Sequence, residues 1–175
     1  IWCAQESITI KAKIDASGKG ALPDTAGDFG GSGGGSGNKA SQPCAVPVSG
    51  ARILDGADQG ANGKATDKTR AMRAFTCLNF SKGGGGGAND GGTPGGAGGG
   101  IVVLCAPSIK FEAGAMIDVS GLKGNGNSGG GGGGLIILIA NEFPGYNENT
   151  HTNVAGGAKS GTSGIGGTGL VLKLQ

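Results

Sequence analysis

An all-β fold is predicted for this chain, with short strands stacked in repeated units as a β-solenoid or a small sandwich. Three observations predict it. Glycine-dense tracts run directly into short apolar segments: Gly98–Gly100 into Ile101-Val102-Val103-Leu104-Cys105, Gly129–Gly134 into Leu135-Ile136-Ile137-Leu138-Ile139, and Gly166-Gly167-Thr168-Gly169 into Leu170-Val171-Leu172. A block near the start recurs later in the chain, and internal repeats are the signature of stacked architectures. Within both copies apolar and polar residues alternate with period two, the mark of a half-buried strand.

The elements follow in order. Ile1-Trp2-Cys3-Ala4 reads as a first strand. In the next, Ile8, Ile10 and Ala12 face one side, with Thr9, Lys11 and Lys13 on the other. Ile14-Asp15-Ala16-Ser17-Gly18 closes the block with a turn. Cys-Ala, then Ser-Ile-x-(Ile/Phe), then Ile-Asp-(Ala/Val)-Ser-Gly recur in order from Cys105 to Gly121, with one extra residue in the second copy. The repeat thus covers 1–21 and 101–124. Residues 38–82 form an insertion between the copies, inside a single glycine-rich domain, 1–175. One short helix is expected over 66–78, where glycine and proline are absent. Thr66 or Asp67 would cap it, with Ala71, Met72, Phe75 and Leu78 on one face. The segments 101–104 and 135–139 are apolar throughout, so both faces should be buried.

Composition narrows the function. Glycine supplies 43 of 175 residues, roughly three times the usual share, without the Gly-X-Y period of collagen. Glycine loses the most backbone entropy on ordering, so dense backbone packing, crosslinks or assembly must offset that loss. The formal charge is +2, from 14 scattered basic residues against 12 acidic ones. No basic stripe with stacking aromatics appears, so nucleic-acid binding is not predicted. The longest apolar run is far short of a membrane span. No signal peptide is visible, and a start at Ile1 reads as a processed product, a domain or part of a longer protein.

Four cysteines are present: Cys3, Cys44, Cys77 and Cys105. With no CxxC pair and one histidine, a metal site is not predicted. Two disulfides in an oxidising place are preferred over four buried free thiols, because a glycine-rich chain needs staples. Three pairings exist. Cys3–Cys105 is favoured because the two hold the same place in the two copies. Cys44–Cys77 is then the remaining pair, both falling within the inserted region.

The glycine tracts read as ordered and not as flexible linkers. They contain little serine, abut strands without a polar spacer and recur with the repeat. The expected conformation is the extended threefold helix, the polyglycine analogue of polyproline II. Six residues, Gly129–Gly134, would span roughly 19 Å at ~3.1 Å per residue.

This cadence resembles the glycine-rich structural proteins of tailed bacteriophages: tail-fibre, tip-adhesin and virion-surface domains. The tracts Gly30–Gly37, Gly83–Gly100, Gly121–Gly134 and Gly156–Gly169 are similar in kind to the polyglycine II helices of some phage adhesins. The resemblance implies a rigid virion fibre or surface appendage at the virion surface or outside the cell. Its partners would be other virion proteins and a host surface glycan or protein. It also implies homo-oligomerisation, as a trimer. The alternative reading is a subunit of a bacterial extracellular filament or matrix.

Catalytic readings fare poorly against these patterns. Polyglycine contains GxGxxG spacing trivially, and the helix and distal acid of a dinucleotide fold are missing. Carboxylates for polysaccharide cleavage would come from Asp15, Asp118, Glu112 and Glu142. Asp15 and Asp118, however, hold a repeated turn position, which turn hydrogen bonding explains. The chain is therefore read as non-enzymatic and without a cofactor. One loop, 141–153, holds the sole tyrosine and sole histidine amid amides and hydroxyls that suit sugars. If it meets a receptor or partner, Phe143, Tyr146, Asn147, Asn149 and His151 are the contact candidates. The favoured reading is a solvated connection whose aromatics pack locally. Trp2 is read either as core filler or as a contact with a neighbour.

Overall fold

The computed structural model describes residues 1–23, 44–45, 52–53, 63, 65–66, 83, 93–161 and 163–175. The chain makes successive passes through the same strand positions. The first pass holds β1 (Trp2–Cys3), β2 (Ser7–Ile10) and β3 (Lys13–Asp15). An antiparallel pair, β4 (Cys44–Ala45) and β5 (Arg52–Ile53), lies between passes in sequence. The second pass holds β6 (Ile101–Cys105), β7 (Ser108–Phe111) and β8 (Met116–Asp118). The third holds β9 (Leu135–Ile139), a four-residue helix α1 (Glu148–His151) and β10 (Thr152–Asn153). The last holds β11 (Leu170–Leu174).

Equivalent strands pair in parallel. One sheet has the order β1-β6-β9-β11, a second β10-β8-β3, and a third only β2-β7. Register follows the sequence repeat: Cys3 lies opposite Cys105, Ile8 opposite Ile109 and Ile14 opposite Ile117. The length difference between copies is absorbed at two turns. Gln5-Glu6 corresponds to the single Pro107, whereas the second copy lengthens around the Glu112–Ala115 turn, which Gly114 enters at φ +83°.

The mostly-β class stands, but the expected β-solenoid or small sandwich is corrected. The sheets are parallel and open, with four, three and two strands, and they neither close nor coil as a solenoid. The physical reason lies in the glycine tracts. Between the strands of the second and third passes, and again before β11, the chain runs through the described glycine-rich segments 121–134, 155–161 and 163–169. The expected helix over 66–78 and most of the 38–82 insertion lie outside the described residues.

Period-two alternation sets the core. Ile10, Ile109, Phe111 and Ile117 point inward with Val102, Leu104, Ile136 and Leu138. The opposite face of the first sheet gathers Val103, Leu135, Ile137 and Leu172. β6 and β9 are therefore covered on both sides, as their unbroken apolar runs predict.

Beyond the strands the described glycine tracts form a hydrogen-bonded lattice, while Gly30–Gly37 and residues 84–92 lie outside the described residues. Gly129–Gly134 is buried throughout. The Gly130 and Gly133 amides donate to Gly164 and Gly167 at 3.1 and 2.8 Å. The Gly131 and Gly134 amides donate to Leu122 and Val119 at 2.9 and 2.7 Å. The Gly129 and Gly132 carbonyls accept from Gly96 and Gly99 at 2.9 and 2.7 Å. Each partner thus returns every third residue, the repeat of an extended three-residue helix and not of a β-strand, whose period is two. Neighbouring backbones come so close that a Cβ on Gly131 would lie 2.1 Å from the Ala97 carbonyl oxygen.

Candidate functional site: the 141–153 loop

The loop after β9 is seated before it turns outward. The Ile109 amide donates to Glu142 at 3.1 Å and the Phe111 amide to Pro144 at 2.9 Å, so residues 142–144 run alongside β7. Gly145 then adopts φ +74°, and a Cβ there would sit 2.4 Å from the Phe111 carbonyl oxygen. Only glycine meets both demands. Asn147 caps α1, its side chain accepting from the Asn149 amide at 3.0 Å. The Asn147 amide donates to His151 Nδ1 at 2.9 Å. That nitrogen is therefore an acceptor, which places the proton of the neutral ring on Nε2.

The aromatic candidates turn inward together. The Tyr146 ring lies 5.0 Å from Phe111 and 6.1 Å from Phe143, and His151 lies 5.3 Å from Phe111. Lys173, from β11, places its ammonium 5.3 Å from the Phe143 ring and 5.9 Å from Tyr146. These separations suit edge and cation–π contacts. The Tyr146 hydroxyl is buried and has no hydrogen-bond partner among the described residues. Burial, helped by the nearby Glu148 carboxylate and weakly opposed by Thr152, pushes its phenol up to about 12.

Of the five sequence candidates, Phe143, Tyr146 and His151 are thus half-buried anchors that pin the loop. Asn147 and Asn149 are exposed, although Asn147 spends its side chain on the cap. The outward surface is made by Asn141, Glu142, Glu148, Asn149 and Thr150. Sequence reading missed Phe111 and Lys173. The available signal for Lys173 was its position as the lone charge in Leu170-Val171-Leu172-Lys173-Leu174.

The carboxylates considered for catalysis form a structural ladder instead. Asp15 stands beside Asp118, which stands beside Asn153, in adjacent parallel strands. Each accepts from the amide two residues on: Ser17 at 2.9 Å, Ser120 at 2.9 Å and Ala155 at 3.2 Å. Lys13 bridges Asp15 at 3.0 Å and Asp118 at 2.8 Å. Hydrogen bonds from Ser17, then Lys13, hold Asp15 well below the usual carboxylate range. Burial works hardest against Asp118, but Lys13 and Ser120 still hold it low. Asp118, then Asp15, raise the Lys13 ammonium above its ordinary value.

Cys3 and Cys105 face each other in register on β1 and β6, and both are free thiols. For the Cys44–Cys77 pairing, Cys77 lies outside the described residues. Among the described residues no cluster of three or more His, Cys, Asp or Glu is placed to hold a metal, and no helix is long and apolar enough to cross a membrane. No family model, curated protein or solved structure matches the chain.

Proposed function

We propose that the chain is a structural component of a phage virion fibre or surface appendage, a rigid scaffold that presents a loop toward the host surface. The observation that carries this reading is the period-three hydrogen bonding of Gly129–Gly134 to neighbouring segments. It fixes the least constrained residue type by backbone hydrogen bonds and close backbone approach, which suits a mechanical role. The pinned loop adds a defined surface of amides and hydroxyls at Asn141, Asn149 and Thr150. The link to a virion comes from the likeness of the glycine cadence to phage fibre proteins. Homo-oligomerisation and contacts with other virion proteins belong to the same reading.

The test is immunogold labelling with antibody raised against the chain. Labelled fibres or surfaces on purified phage particles are expected. Label confined to filaments or matrix outside bacterial cells would replace this reading with the extracellular-filament one. Hydrogen exchange checks the mechanical premise independently. Slow exchange is expected at Gly130, Gly131, Gly133 and Gly134, and random-coil exchange there would sink the rigid-scaffold reading.

A further inference from the structure

The two copies of the repeat carry a cysteine at the same place. Cys3 on β1 and Cys105 on β6 are direct partners in a parallel ladder. The Ala4 amide donates to the Cys105 carbonyl at 2.9 Å, which ties the two strands together at this step. Direct partners in a parallel ladder carry their side chains on the same face, because alternation runs in phase along both strands. The row continues through Ile139 on β9 and Leu174 on β11. Both of those pack against Val103, Leu135, Ile137 and Leu172. Packing in this row therefore asks only for an apolar side chain. The two thiols hold adjacent places in it, and neither is buried. Among the described residues no further His, Cys, Asp or Glu joins them as a metal-holding cluster.

We propose that Cys3 and Cys105 close a reversible disulfide that clasps the first pass to the second. Neighbouring strands stand ~4.8 Å apart, inside the ~4.4–6.8 Å that a disulfide requires between Cα atoms. The oxidant is a small-molecule disulfide of the glutathione class. One cysteine, as its thiolate, attacks a sulfur of the oxidant, forming a mixed disulfide and expelling one small thiolate. The other cysteine, deprotonated in turn, attacks the protein-side sulfur, forming the Cys3–Cys105 bond and expelling the second. The two protons given up by the cysteines pass to the two leaving thiolates, and two electrons pass from the protein to the oxidant. The same spacing makes the bond labile. Opposed Cβ atoms in a parallel ladder stand about as far apart as the strands, whereas a disulfide holds them at ~3.8 Å. Closure draws β1 and β6 slightly together, and the strain this stores favours reduction. Once closed, the bond encloses about a hundred residues, the inserted region 38–82 among them, and holds the two copies in register across that loop. The inference stands without the virion reading, since it uses only the ladder and the two thiols.

The test uses the whole folded chain, equilibrated with oxidised glutathione, alkylated and digested with trypsin without reduction. Cleavage after Lys11, Lys82 and Lys110 releases Cys3 in peptide 1–11 and Cys105 in peptide 83–110. The expected product is these two peptides joined and lighter by two hydrogens than their sum, with the undigested chain keeping the mass of a single copy. Reduced glutathione should reopen the bond while the circular dichroism stays unchanged. The double variant Cys44→Ser with Cys77→Ser should form the same joined product, and closing the bond there should raise the melting temperature by ~5–10 °C. Should that variant fail to fold, the peptide map of the parent decides alone. The proposal is overturned if Cys3 and Cys105 are both recovered alkylated, if either is joined to Cys44 or Cys77, if the link runs between two chains, or if the closed bond resists reduced glutathione until the chain unfolds.

Discussion

At the scale of single residues, two kinds of position carry the fold. The first is glycine without space. A methyl on Gly131 would meet the Ala97 carbonyl oxygen at 2.1 Å and its carbon at 2.5 Å, with no flexible side chain able to yield. Gly131→Ala is therefore expected to cost ~3 kcal/mol or more, the upper range for overpacking. Gly114 is the control, since it has φ +83° but no described atom within 4 Å of an added methyl. Gly114→Ala should cost only the left-handed penalty of ~1–2 kcal/mol. Denaturant unfolding of the two variants checks the contrast. The second kind is the Lys13–Asp15–Asp118 bridge. Both carboxylates are depressed in the folded state, so their contribution is complete above the unfolded carboxylate range, near pH ~4, and is lost as pH falls through the folded values. Lys13 is raised, so its share persists below its unfolded value and is lost as pH rises through the folded one. Lys13→Met should lower the melting temperature at neutral pH, because two neighbouring carboxylates lose their shared cation. It should also flatten the loss of stability on acidification, which thermal melts across the acid range would record.

At the scale of elements, legibility depended on whether the pattern was written in side chains. Ile8 and Ile10 alternate against Thr9 and Lys11, and β2 lies where that alternation places it. The recurrence of Cys-Ala and Ile-Asp-x-Ser-Gly anticipated the register of Cys3 with Cys105 and of Asp15 with Asp118. The third copy was hidden by chemistry. Asn153-Val154-Ala155 performs the turn of Asp118-Val119-Ser120 with an amide in place of a carboxylate, thereby avoiding a third adjacent negative charge. The loop was legible as a place but not as a surface. Its aromatics were read chiefly as packing locally, but the partners that hold Phe143 and Tyr146, Phe111 and Lys173, are distant in sequence and were not named. Tyr146 supplies a test of that assignment. Its hydroxyl is buried without a partner among the described residues, so Tyr146→Phe removes an unsatisfied group and keeps the ring. The variant should match or exceed the parent by up to ~1 kcal/mol in denaturant unfolding. A clear loss of stability would mean that the hydroxyl is satisfied in solution.

At the scale of the whole molecule, the sequence conveyed class and missed architecture. Apolar runs and alternation specify strands, but they do not say how each pass returns to the next. Among the described residues that return is made by glycines, whose hydrogen-bond partners leave no trace in a side-chain pattern. The resulting topology is highly non-local: Trp2 pairs with Leu104, and the Gly20 amide with Gly98 at 2.7 Å. Such contacts require long loop closures before they contribute, so folding should be slow for a chain of this size, on the order of milliseconds to seconds. Stopped-flow refolding from denaturant measures it, and a microsecond phase carrying the full amplitude would contradict this topology.

The crowded backbone of the Gly129–Gly134 tract also bears on heredity. Every substitution of glycine adds at least one carbon, and at Gly130, Gly131, Gly133 and Gly134 that carbon would fall within about 2 Å of another backbone oxygen. Selection therefore has almost no neutral variants to work with there. The outward residues Asn141, Glu142, Asn149 and Thr150 meet no such barrier. A lineage carrying this protein would keep its glycine interior nearly fixed while rewriting the loop from one descendant to the next.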